Sequence, residues 1–85
     1  MNIPLIQGQF TAKDAADLIT QLIHVKIKFH ESKISHASSE EDIKMREQRI
    51  KQLQKDLYEV RLFLESDSVG LEANIRLSKP NNSLL

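Results

Sequence analysis

The side chains able to do chemistry crowd into residues 26–36, KIKFHESKISH. His30 and Glu31 open a run resembling a zinc-hydrolase helix, in which two imidazoles four residues apart share a face. Here the second imidazole, His36, comes six residues after the first, an interval over which a helix turns about 600°, so the rings diverge. No metal ligand set is expected. Lys26 and Lys33 are the odder pair, because on a helical wheel they lie between two apolar stripes, with His30 one turn from each. Ammonium groups on such an arc need a carboxylate, and Glu47 is the candidate. Lys26, His30, Lys33 and Glu47 are therefore expected to form a polar cluster. It either fixes packing register while the lysine stems lie along apolar surface, or forms a pocket for an anionic group or a proton transfer.

Other chemistries find no support. The chain has no Cys, which removes thiol nucleophiles, thiolate metal sites and disulfides. Ser32, Ser35, Ser38 and Ser39 fall at or near a turn and suit capping, with no strand-to-helix elbow to expose a nucleophile. His24 sits on the polar face, and no glycine-rich phosphate loop exists. Catalytic, cofactor-binding and metal residues are accordingly none, no cofactor is expected, and the chain is not read as an enzyme.

Twelve Lys and Arg against twelve Asp and Glu give a formal charge of zero, so no broad field attracts nucleic acid or anionic lipid. Lys44, Arg46, Arg49, Lys51 and Lys55 are interleaved with Glu40, Glu41, Asp42, Glu47, Asp56 and Glu59, as on a solvated helix face. With no leader pattern and no membrane-length apolar run, the expected compartment is the cytoplasm.

The elements that must hold these residues follow from caps and periodicity. Residues 1–10 read as an extended arm, with Pro4 and Gly8 against helix and Ile3, Leu5 and Ile6 too apolar for a free tail. Thr11 with Asp14 looks like an N-cap, Phe10 being placed to staple onto Ala15, and opens a first helix over about 11–36. Ser38 with Glu41 makes a second capping pattern after a turn at about 37–39. The second helix spans about 40–66, stopped near Gly70. The tail, 67–85, is read as partly mobile; within it Ile75 and Leu77 alternate as a strand would, and 74–77 could pair with the arm.

Ile43, Arg46, Ile50, Leu53, Leu57, Val60 and Leu64 repeat at threes and fours, as do Ala15, Leu18, Leu22, Val25, Phe29 and Ser32. Paired antiparallel, their numbers sum to 75, centring the hairpin on the turn and setting Arg46 against Phe29. The first helix carries a second stripe, Ala12, Ala16, Ile19, Ile23, Ile27, His30 and Ile34, so its apolar arc covers roughly 200°, about twice what one neighbour buries. Ala16, Ile19, Ile23, Ile27 and Ile34, edged by Tyr58 and Leu62, are thus expected to form a dimer interface.

The sequence is therefore read as one all-α domain, a coiled-coil-like antiparallel helical hairpin that dimerises into a four-helix bundle. Its expected role is a non-catalytic interaction or scaffolding module whose partner is itself, as homodimer or tetramer, with another protein as the other possible occupant of the face. The alternatives are a nucleic-acid-binding regulator, disfavoured by the charge pattern, and a ligand-binding protein using the Lys and His cluster; no membrane partner is expected.

Overall fold

Strands frame the helices. The computed structural model describes residues 1–36, 39–65 and 67–80. Strand β1 (Asn2–Thr11) leads into helix α1 (Ala12–Ile34), helix α2 (Glu40–Phe63) follows, and strand β2 (Ser68–Arg76) returns to pair antiparallel with β1. This corrects the all-α expectation and, with it, the four-helix bundle: the protein is a helical hairpin joined to a two-stranded ribbon. Residues 68–76 of the tail expected to be partly mobile form β2, and Gly70 lies within that strand instead of closing α2, which ends at Phe63 with Leu64 as its C-cap.

The ribbon forms because its apolar residues can share one face. In β2, Val69, Leu71 and Ala73 are half-buried and alternate with exposed Ser68, Gly70 and Glu72, the period of a strand covered on one side. Opposite them stand Phe10, Gly8 and Ile6, while Ile3 pairs with Ile75. Ile3 and Ile6 have odd spacing and would point to opposite faces in a regular strand. The register shift between Pro4 and Ile6 inserts Leu5 as an extra residue and returns Ile3 to the face of Ile6 and Phe10. The arm therefore pairs with residues 74–76, as its apolar content suggested, and the pairing continues to Thr11 and Ser68. At the far end the Met1 ammonium donates to the Leu77 carbonyl at 2.9 Å, and the Leu77 amide donates to the Met1 carbonyl at 2.7 Å. At the near end the Ala12 amide donates to the Asp67 carbonyl at 3.2 Å, tying the first turn of α1 to the start of β2.

Both helices start at side-chain caps. Thr11 Oγ1 accepts from the Asp14 amide at 3.1 Å. Ser39 Oγ accepts from the Asp42 amide at 3.1 Å, one residue later than the cap expected at Ser38. Ser38, Ala37 and Ser66 lie outside the described residues, as do 81–85.

The hairpin keeps the expected register but not the expected faces. Arg46 meets Phe29, and Ala15 lies near Val60, as a sum of 75 requires. On α2 the anticipated seam is the covered one, from Ile43 to Val60 with Leu57 buried. On α1, however, the stripe Ala12, Ala16, Ile19, Ile23, Ile27, His30 and Ile34 is covered throughout, whereas of the expected seam Ala15 is buried and Leu18 half-buried but Leu22, Val25, Phe29 and Ser32 are exposed. The stripe expected between two copies is thus half-buried within the chain, and Tyr58 and Leu62 are exposed on α2. Both α1 stripes repeat at threes and fours, so periodicity cannot rank them. The ribbon does, because β1 runs beside Leu18, Leu22 and Val25, forming with Leu5 and Ile6 a groove of about 330 Å³.

Gly8 is the one described residue with positive φ, +137°, in mid-strand. A side chain there is strained although nothing crowds the site. Gly8→Ala is expected to cost about 1 kcal/mol or more in urea denaturation. Gly70→Ala, whose added carbon meets only the end of Gln9 at 3.4 Å, should stay within about 0.5 kcal/mol of the parent. Equal effects at the two glycines would show that the ribbon does not depend on this backbone conformation.

Candidate functional site

Near the closed end of the hairpin, α1 contributes Lys26, Phe29, His30 and Lys33, and α2 contributes Asp42, Arg46 and Arg49. The helical period puts Lys26, Phe29 and Lys33 on one side of α1, with His30 at its edge towards α2. On α2, Asp42, Arg46 and Arg49 recur at four and three residues and share the edge that meets them.

His30 is buried and Arg46 half-buried. Arg46 Nη1 donates to His30 Nδ1 at 3.2 Å. A guanidinium can only donate, so Nδ1 must accept, which makes the ring neutral with its proton on Nε2. His30 is accordingly held below its ordinary pKa, first by burial, then by the positive charges of Lys26, Arg46 and Arg49. Arg46 Nε faces Asp42 Oδ2 at 3.6 Å, an ion pair too long for a good hydrogen bond, and the buried Nε atom has no hydrogen-bond partner among the described residues.

Phe29 is about half exposed and ringed by cations. Lys26 Nζ lies 5.1 Å from the ring centroid, Lys33 Nζ 5.6 Å and Arg46 Cζ 5.9 Å, while the His30 ring meets it edge-on at 5.7 Å. Each cation gains about 0.5–1 kcal/mol from the ring quadrupole at such an exposed site, yet the cations repel one another. The outcome is a positive patch around an apolar disc. It can receive a carboxylate or phosphate, or a surface presenting one. General base chemistry is a poor fit, since the imidazole lone pair at Nδ1 is already taken by Arg46.

Of the expected cluster, Lys26, His30 and Lys33 come together. Glu47 does not join them: it is exposed and borders a shallow recess with Lys44, Gln48 and Lys51. The physical reason is the face of α1 that α2 packs on, which turns the Asp42–Arg46–Arg49 edge towards His30. Asp42 and Arg49 were not anticipated as members; their spacing with Arg46 was the available signal. His36 is separated from His30, its Nδ1 donating to the Ser32 carbonyl at 2.9 Å as a C-terminal cap of α1. Among the described residues no group of three or more His, Asp or Glu could hold a metal ion. No described helix is long and apolar enough to cross a membrane.

The buried neutral imidazole couples stability to pH. With a folded pKa below the unfolded value of about 6.5, the unfolded chain binds more protons in the window beneath 6.5, so stability present above it falls as pH drops and levels off below the folded pKa. Urea melts between pH 8 and 5 should show this loss, and His30→Gln should flatten that part of the profile. Arg46→Met keeps the apolar stem but removes a charge, and the His30 ring should then titrate closer to its ordinary value by NMR. An unmoved titration would mean that Arg46 does not act on the ring.

Comparison with protein-family models, with curated proteins and with solved structures finds no match for this chain.

Proposed function

We propose that the chain is a non-catalytic interaction module that works as a homo-oligomer, its fold completed by another copy. The observation that supports this is surface area. The chain exposes 7240 Å² at a mass of 9.8 kDa, whereas a compact monomer of that mass exposes roughly 5,200 Å². The excess, about 2,000 Å², exceeds the roughly 800 Å² that each partner gives to a standard interface. Within the chain the described core holds two buried apolar residues, Ala15 and Leu57, while Leu22, Val25, Phe29, Tyr58, Leu62 and Phe63 stand exposed. So small a core offsets little of the conformational entropy lost by the described helices and strands, and association supplies the missing burial.

A second reading, a site for a small anion, is favoured by the buried Nε of Arg46, without a hydrogen bond among the described residues, and by the three cations around Phe29. Replacing chloride with phosphate at matched ionic strength should raise the melting temperature if an anion binds there, and an unchanged melt removes this reading.

For the principal reading, native mass spectrometry should give an integral multiple of the chain mass, and the melting temperature should climb with protein concentration. A monomer whose melt is independent of concentration would refute it.

A further inference from the structure

Resting on the homo-oligomer reading, we infer that the second copy docks along the exposed stripe of α1, with the two α1 helices antiparallel about a two-fold axis and Phe29 of each copy entering the groove of the other. The stripe is Leu18, Leu22, Val25 and Phe29, at spacings of four, three and four. That sequence of intervals reads the same from either end. Such spacing suits an isologous interface, in which residue i meets j and j meets i, because it brings apolar residues level with apolar residues on the reversed copy. Partner numbers then add to 47: Leu18 lies level with Phe29 of the other copy, and Leu22 with Val25.

Three further features agree. Leu22, Val25 and Phe29 are 40%, 68% and 47% exposed, the longest run of large apolar side chains uncovered on α1. Beside Leu18 and Leu22 lies the groove closed on its far side by Leu5 and Ile6, whose volume of about 330 Å³ offers an apolar recess at the level where Phe29 arrives. Charge selects the direction. Asp14 and Asp17 flank the beginning of α1, and Lys26, Lys28 and Lys33, joined by Arg46 and Arg49 from α2, flank its end. Antiparallel docking sets the acidic end of each helix beside the basic end of the other and places Asp14 level with Lys33. Parallel docking would stack Lys26 and Lys33 on their own copies in a partly desolvated setting. The cations around Phe29, which repel one another within a single chain, gain carboxylate neighbours in the pair.

The absence of Cys allows a direct test of register. Asp14→Cys and Lys33→Cys are made in separate full-length chains, both at exposed positions. The two are mixed through unfolding and refolding and treated with a short bismaleimide, beside each variant alone. With antiparallel docking the mixture yields a covalent dimer and neither variant alone does, because identical positions then sit roughly 28 Å apart along the axis. Crosslinking within either variant alone would overturn the inference in favour of parallel docking. Sedimentation of the same samples separates the remaining outcomes. A dimer that crosslinks in no combination means association through another surface, such as a ribbon edge or the Tyr58 face; the inference then fails while the homo-oligomer reading stands. A monomer at every concentration defeats both.

Discussion

One helix in this protein has more apolar surface than any single neighbour can cover, and the architecture follows from how that surface is divided. α1 carries two stripes separated by an arc holding Lys26 and Lys33. The isoleucine-rich stripe is half-buried along the hairpin, and α2 also meets Ala15 and Phe29 from the other stripe. The other stripe receives β1 beside Leu18, Leu22 and Val25, which closes one wall of a groove and leaves Phe29 and much of Val25 in water. Among the described residues no further element covers what remains. The chain's Cα radius of gyration is 16.4 Å, against about 12 Å for a compact domain of the same length, and its extents are 49 × 33 × 16 Å. The molecule is flat because its elements form too few layers to enclose a core.

The ribbon depends on local backbone devices more than on buried area. A two-stranded sheet in isolation is marginal. Here it is anchored at both ends, by the reciprocal Met1 and Leu77 hydrogen bonds and by the Ala12 to Asp67 bond at the first turn of α1. Between the anchors, strand alternation puts Ile6 and Phe10 on the face shared with Val69, Leu71 and Ala73, and the bulge at Leu5 adds Ile3 to it. Pro4, which has no amide to donate, sits beside the bulge, where ladder pairing is already interrupted.

The polar group at the closed end links the two helices where apolar packing thins out. Arg46 satisfies His30, reaches towards Asp42 and lies against Phe29, so one side chain couples both helices and an exposed ring. Burial, with the charges of Lys26, Arg46 and Arg49, keeps the imidazole neutral, and the neutral imidazole in turn accepts the hydrogen bond. Without Arg46 the buried Nδ1 of His30 would lose its hydrogen-bond donor, so the pair lets the helices meet at an imidazole.

Much of the helical part is legible in the sequence, because caps and periodicity are local. Thr11 with Asp14 marks the start of α1, the seam from Ile43 to Val60 marks the inner face of α2, and the sum of 75 sets the hairpin register. None of these needs distant information. The ribbon was legible only in part: the apolar arm and the alternation at Ile75 are visible, but Val69, Leu71 and Ala73 alternate too briefly to outweigh Gly70 as a stop signal. Pairing partners 57 to 74 residues apart leave no local trace. Which α1 stripe faces α2 was beyond the sequence altogether, since both repeat at threes and fours and the choice depends on where β1 lies. That choice also separated Glu47 from Lys26 and His30 and brought in Asp42 and Arg49, because turning a helix about its axis exchanges one edge for another without altering its register.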